Sequence, residues 1–307
     1  MEINKKRYKD LDSYFKKKFN KKIIKVPLDG GFTCPNRDGK ISNKGCIYCS
    51  ENGAGDFTRN DDLDKQIDFQ IRRLRKPERR EGYIAYFQNF TSTYGNIQKM
   101  KKLFYGAIEN PNIMGLSIAT RADCLSDEVI ELLDDLNKKT FLIVELGLQS
   151  INEKSIKFIN RGYTHKEFDQ GLLKLKEKNI KTLAHIIIGL PNEKIDDFLN
   201  NVNYINERKF WGIKIHNLYI EKNSRIYDYY LKNQNQFTMT LDEYVSYVIL
   251  ILESLNPNIV VQRLTGDGRR DRIIWPTWSK NKARVLSTID KKLKDKNKNQ
   301  GDLWKEK

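Results

Sequence analysis

The residues best suited to do chemistry gather near the start of the chain. Only four cysteines occur, and Cys34, Cys46 and Cys49 fall within one short stretch with the spacing C-x11-C-x2-C. Thiols clustered in a 307-residue chain with so few cysteines fit metal binding better than a disulfide framework. Three thiolates can each hold one iron of a cubane cluster, which leaves the fourth iron open to a ligand. Structural zinc is the alternative. Zinc usually takes four ligands, no histidine stands near this loop, and Cys124 would have to be a distant fourth.

Positioning such a loop needs a scaffold, and the pattern of the chain supplies one. Short apolar runs rich in β-branched residues cover 23–28, 83–87, 113–119, 141–148, 182–188 and 212–220. They are nearly continuous in hydrophobicity, as parallel strands buried on both faces are. Between them lie stretches of helical period, including one opened by Ser126 with Asp127 and Glu128 in its first turn, and a later one over 241–255. This alternation predicts an α/β fold with a parallel sheet, either a partial (β/α)6 TIM-like barrel or a doubly wound sheet. The expected layout is a basic N-terminal helix over 1–22, the barrel over 23–222, a helical and stranded extension capping it over 223–295, and a flexible tail over 296–307.

Composition sets further bounds. Hydrophobic residues make up 39%, enough for a sizeable core, and no run of eighteen apolar residues predicts a membrane span. The N-terminus lacks the apolar stretch of a secretory signal, so the cytoplasm is the expected location. The net charge of +16 favours polyanionic partners, above all nucleic acid. A Lys-, Asn- and Ile-rich profile of the kind AT-rich coding sequence produces is the plainer explanation.

Several longer motifs carry a resemblance. They are Thr33-Cys34-Pro35-Asn36-Arg37-Asp38-Gly39, Gly45-Cys46-Ile47-Tyr48-Cys49, Gln88-Asn89-Phe90-Thr91, Thr120-Arg121-Ala122-Asp123, Glu145-Leu146-Gly147-Leu148-Gln149-Ser150, Asn160-Arg161-Gly162 and Ile188-Gly189-Leu190-Pro191. Together they resemble the radical S-adenosylmethionine (radical SAM) superfamily, in its YhcC/YtqA-type branch. That branch is similar to the radical domain of the elongator catalytic subunit and to oxygen-independent coproporphyrinogen dehydrogenases. The resemblance implies an enzyme in which Cys34, Cys46 and Cys49 hold a 4Fe-4S cluster that reductively cleaves S-adenosylmethionine to a 5′-deoxyadenosyl radical. It also implies an electron donor such as flavodoxin or ferredoxin. Two departures stand out: the first cysteine gap is eleven rather than three, and Gln88-Asn89-Phe90-Thr91 replaces the Gly-Gly-Glu that usually holds the methionine amine.

On this resemblance, the cofactor contacts expected are Tyr48, Gln88, Asn89, Thr120, Arg121, Glu145, Gln149, Arg161, Ile188 and Gly189. Most fall just past strand ends, where barrel chemistry resides. Glu145 lies within the fourth strand among apolar neighbours and suits the ribose hydroxyls, unless it is an edge residue facing solvent. Arg161 could fork onto the methionine carboxylate or be a surface arginine. Tyr48 could cover adenine or pack the cluster loop. His185 and His216 are candidate substrate or adenosyl contacts, with a core role as the alternative. Cys124 is a candidate hydrogen donor or a small buried apolar group.

Arg37, together with Arg263, Arg269, Arg270, Arg272, Trp275 and Trp278, suits phosphates and stacked bases. For the C-terminal group, closing the barrel is the alternative. Charge and the resemblance point to tRNA, specifically a wobble-uridine side chain. A small-metabolite radical enzyme and a non-enzymatic, metal-stabilised nucleic-acid-binding module are the competing readings.

Overall fold

The computed structural model describes residues 6–50, 53, 58, 61–75, 81–222 and 224–306. The first five residues of the expected N-terminal helix lie outside them. In chain order the elements are α1 (Leu11–Phe19), β1 (Lys22–Leu28), α2 (Leu63–Leu74), β2 (Glu81–Phe87), α3 (Ile97–Glu109), β3 (Ile113–Thr120), α4 (Asp127–Lys139), β4 (Phe141–Gln149), α5 (Glu153–Phe158), α6 (His165–Glu177) and β5 (Lys181–Ile188). There follow α7 (Ile195–Glu207), β6 (Gly212–Asn217), β7 (Ile220–Glu221), α8 (Arg225–Lys232), α9 (Leu241–Ser254), β8 (Val260–Arg263), β9 (Ile273–Trp275) and α10 (Lys282–Asp295).

The main sheet has the order β1-β2-β3-β4-β5-β6-β8, and β7 pairs antiparallel with β9. The described registers of the main sheet, β1 with β2, β2 with β3, β3 with β4 and β6 with β8, are all parallel. Each strand joins beside its predecessor, which is the order of a partial β/α barrel; a doubly wound sheet reverses direction at a switch point. Two differences from the sequence reading concern its end. The run at 212–220 breaks after Asn217, because Leu218 N–H turns to the Ile188 carbonyl at 2.7 Å, and Ile220 then starts β7. A seventh parallel strand, β8, is too short and too polar at its end for periodicity to reveal.

Two compact units make up the chain. The first in sequence comprises 12–147 and 161–183 and carries β1 to β4 with their helices. β2, β3 and β4 are buried along nearly their whole length, as the continuous apolar runs require, while the edge strand β1 is buried only in part. Phe15 of α1 meets Phe141 edge to face at 5.7 Å, and Phe104 of α3 meets Phe87 at 5.0 Å. Ser126 caps α4, and Thr164 with Glu167 forms a capping box at α6. Gly171 lets α6 approach the turn after β3: a Cβ there would lie 2.1 Å from the Ala122 carbonyl oxygen.

The other unit comprises 1–11, 148–160 and 184–307. Its α9 is sheathed by apolar neighbours, and the Tyr244 hydroxyl donates to the Leu264 carbonyl at 2.9 Å. Residues 296–306, expected to be a loose tail, are fastened here. The Gln300 amide donates to the Asn256 and Ile259 carbonyls at 2.8 and 2.9 Å, and Leu303 N–H donates to the Glu253 carbonyl at 2.8 Å. The segment is polar, but its donors meet backbone acceptors rather than water.

Candidate cluster and cofactor site

The cysteine loop leaves β1 and folds on itself through backbone bonds. Arg37 N–H donates to the Cys34 carbonyl at 2.8 Å, Cys49 N–H to the Cys46 carbonyl at 3.1 Å, and Gly45 N–H to the Asn36 carbonyl at 2.5 Å. Asn36 is wholly buried and donates its amide to Cys46 Sγ at 3.6 Å and to the Arg161 carbonyl at 3.5 Å. Tyr48 also hydrogen-bonds Cys46. The three thiols are half-buried. Burial pushes the Cys46 thiol up, and burial with the neighbouring Cys46 pushes Cys49 up to about 12. Loss of water therefore disfavours the bare thiolates, and a bound cation has to compensate them.

Arg37 does not reach outward as a substrate contact would. Its guanidinium donates to the carbonyls of Cys49 (3.3 Å) and Ser50, and it lies 5.3 Å from the Phe90 ring. It braces the end of the cysteine loop by satisfying the carbonyls of Cys49 and Ser50.

The strand-end loops of this unit are knitted to the cysteine loop. Thr91 N–H donates to the Thr33 carbonyl at 3.2 Å, and Ser92 N–H to the Ala119 carbonyl at 3.2 Å. Phe90 adopts a left-handed φ of 54°, a strained setting for a bulky residue. Gln88 is half-buried just past β2. The side-chain amide of Asn89 donates to Thr58 at 2.8 Å, while its Oδ1 and the Thr91 hydroxyl are buried without a hydrogen-bond partner. Orphaned buried oxygens of this kind fit a ligand that brings donors. Thr120 is already engaged, its hydroxyl 2.5 Å from that of Thr93.

Arg121 grips Asp123 through two bonds of 2.9 and 2.8 Å and donates to the Arg161 carbonyl at 2.8 Å. Burial lowers its basicity, but the Asp123 carboxylate outweighs that and holds it above its ordinary value. Arg161 is 1% exposed, not a surface arginine; its guanidinium stacks 4.3 Å from the Tyr163 ring. Cys124 is half-buried after the Ala122–Cys124 turn, and burial with Asp123 pushes its thiol up to about 12.

Glu145 is buried, as its apolar neighbours imply, but it is not idle. Its side chain is fully removed from solvent and paired with Lys25, and it accepts hydrogen bonds from Ser117 and from Tyr86 at 3.2 Å. The Lys25 ammonium also donates to Ser117 at 2.9 Å and covers the Tyr86 ring at 3.7 Å. Any ribose contact has to share these oxygens.

The remaining candidates belong to the other unit. Gln149 ends β4 with a left-handed φ of 57°, and its Oε1 is buried without a partner. Gly189, at φ 97°, follows Ile188, whose carbonyl accepts from Leu218 N–H. The His185 and His216 rings are 5.6 Å apart. Trp275 packs on Phe237 at 5.3 Å; Trp278 packs on Tyr244 at 5.0 Å and donates to the Met239 carbonyl at 3.0 Å. Arg263 pairs with Asp267, and Arg269 with Asp271. Arg272 is half-buried, with its carbonyl accepting from Lys222 N–H, while Arg270 is exposed. For the tryptophans and the paired arginines these contacts match the packing alternative.

Sequence reasoning missed Thr91, Asp123 and Lys25. The lysine was visible as the one charge inside the apolar run 23–28. Among the described residues, no three His, Cys, Asp or Glu side chains are grouped to hold a single metal ion.

Comparison with known proteins supplies a family. The model of the Radical SAM superfamily matches residues 38–205, and that of the Radical_SAM C-terminal domain matches 210–295. The chain is 39% identical to the uncharacterized protein YtqA of Bacillus subtilis over 97% of this chain and 93% of that one. It is 28% identical to protein YhcC of Escherichia coli over 91% and 90%. A shorter stretch, 29% of this chain and 21% of the relative, is 34% identical to the tRNA-2-methylthio-N(6)-dimethylallyladenosine synthase of Thermodesulfovibrio yellowstonii. Among solved structures, the Elp3 protein of Methanocaldococcus infernus has a similar fold, with a TM-score of 0.68 at 16% identity over 91% of this chain. The match spans 64% of that longer chain, less than two thirds.

Proposed function

The chain belongs to the radical SAM superfamily, and from that membership we propose that it reductively cleaves S-adenosylmethionine to modify a wobble-uridine side chain of tRNA. The observation that carries the cofactor half is the loop after β1, where Asn36 and Tyr48 bond the half-buried thiol of Cys46, between Cys34 and Cys49 in the three-cysteine motif. A 4Fe-4S cluster held there by Cys34, Cys46 and Cys49 would supply the electron for reductive cleavage of S-adenosylmethionine. The chain's own residues then have separable tasks. Cys34, Cys46 and Cys49 hold the irons as thiolates and release their protons on loading. Asn36 and Arg37 keep the loop closed. Asn89 Oδ1 and Thr91, neighbours in one unit, are acceptors for the methionine amine, replacing the carboxylate most relatives use. The buried Arg161 supplies positive charge for the methionine carboxylate.

The tRNA half rests on the +16 net charge and on the tRNA-acting relative. The electron donor in this reading is a flavodoxin or ferredoxin, and the compartment is the cytoplasm. Among the described residues no helix is long and apolar enough to cross a membrane.

Anaerobically reconstituted, reduced protein assayed for 5′-deoxyadenosine with and without bulk tRNA tests both halves. Release is expected, increased by tRNA, and abolished in Cys34→Ala, Cys46→Ala and Cys49→Ala separately. No release from cluster-loaded protein would leave only a metal-stabilised binding module. Release indifferent to tRNA, with an unchanged nucleoside profile in a deletion strain, would favour a small-metabolite substrate.

A further inference from the structure

Three side chains spaced four residues apart, Glu193, Asp197 and Asn201, each take hold of one residue in the turn after β4. Ser150 Oγ donates to Glu193 Oε1 at 2.5 Å, Asn152 Nδ2 to Asp197 Oδ1 at 2.7 Å, and Ile151 N–H to Asn201 Oδ1 at 2.7 Å. The turn is also tied within itself. Ser150 N–H donates to the Leu148 carbonyl at 2.7 Å, and Asn152 N–H to Ser150 Oγ at 3.1 Å. Ser150 is wholly buried and Asn201 is 1% exposed.

This turn contains Gln149, whose left-handed φ of 57° is strained for a residue with a side chain. Such a conformation persists only where its surroundings over-determine it. Gln149 Oε1 and Asn201 Nδ2 are both buried without a hydrogen-bond partner. The clamp therefore has polar capacity that its own bonds do not use.

We infer that Glu193, assisted by Asp197 and Asn201, is a positioning residue that locks the turn after β4, so that the Gln149 amide oxygen is held ready for a donor group of S-adenosylmethionine. The inference rests on the reading of Gln149 as a cofactor contact. Glu193 touches no reacting atom in this role; it acts through Ser150. Its titration supports the geometry. Burial raises the Glu193 carboxyl to about 7, against the lowering by Ser150 and Ser155, with Asp197 adding to the rise. Ser150 faces it from the turn, Ser155 from α5 and Asp197 from α7. The ionised carboxylate is the stronger acceptor for the Ser150 hydroxyl, so the clamp tightens as pH rises through that value.

The test uses cluster-loaded protein and measures S-adenosylmethionine affinity by equilibrium dialysis, with iron content and thermal midpoint as controls. Wild type is expected to bind more tightly at about pH 8 than at about pH 6. Ser150→Ala and Glu193→Ala are each expected to lose about tenfold in affinity, with no pH dependence left. Glu193→Gln keeps a neutral acceptor, so it should match wild type at the lower pH and stay flat. If Ser150→Ala and Glu193→Ala bind with wild-type affinity and profile, the clamp is refuted. If Glu193→Ala does not fold, a wild-type pH profile in Glu193→Gln refutes it. Gln149→Ala separates the two ideas. Unchanged affinity there removes the cofactor reading of Gln149 and the clamp with it. Lost affinity there, alongside intact Ser150→Ala and Glu193→Ala, removes the clamp alone.

Discussion

The carboxylate of Glu145 in β4 is shut away from solvent and surrounded by Lys25 of β1, Tyr86 of β2 and Ser117 of β3. Removing one partner of a buried ion pair leaves the other stranded, at a cost of about 3–5 kcal/mol. Lys25→Met is therefore expected to lower stability by about that amount in urea unfolding, and adding Glu145→Gln to the same chain should recover much of it. A Lys25→Met variant as stable as wild type would mean the pair is not holding the carboxylate. At this scale the cysteine trio was legible, because spacing alone brings thiols together. The duties of Asn36 and Arg37 were not. Arg37 was expected to contact substrate, but loop closure turned it and Asn36 inward to groups that no spacing rule identifies.

Among the elements, most of the apolar runs were readable because strands such as β2, β3 and β4 bury nearly every residue and need no partner information to stand out. β8 and the break between β6 and β7 were not, since a four-residue strand and one tertiary bond to Ile188 leave no periodic trace. α6 shows a constraint of the same hidden kind. Glycine inside a helix ordinarily costs about 1 kcal/mol relative to alanine, so Gly171→Ala might be thought stabilising on propensity alone. The 2.1 Å approach to the Ala122 carbonyl oxygen reverses the sign. Gly171→Ala is expected to destabilise the protein by about 1–3 kcal/mol as overpacking does, read as a fall in thermal midpoint. A raised midpoint would show that α6 can retreat without cost.

For the whole molecule, helix α10 is one place where the basic excess reaches the surface. Helix α10 buries Val285, Ile289 and Leu293 and keeps Arg284 and Lys291 exposed, with no ion-pair partner for either among the described residues. Several of its other cations are compensated: Lys282 by Asp267 and Lys292 by Asp242. If tRNA is bound, reversing Arg284 and Lys291 to glutamate should weaken it and reduce the slope of log affinity against log salt by about 2, one per phosphate contact. The same reversal at Lys101 and Lys102 of α3 serves as the control, and equal losses from both would mean that the charge acts without a preferred face. The margins of the sheet carry a different consequence, a colloidal one. β1 is one edge strand, and its Lys22 and Pro27 discourage a further strand from pairing. β8 is the other edge, with Val260 and Val261 both buried; there the chain covers itself, Asp10 bridging to Val261 and Val261 N–H donating to the Lys9 carbonyl at 2.8 Å. Deleting residues 1–10 would strip that cover and present a short apolar template to other copies. The shortened protein should scatter light on warming at concentrations where the full chain stays clear.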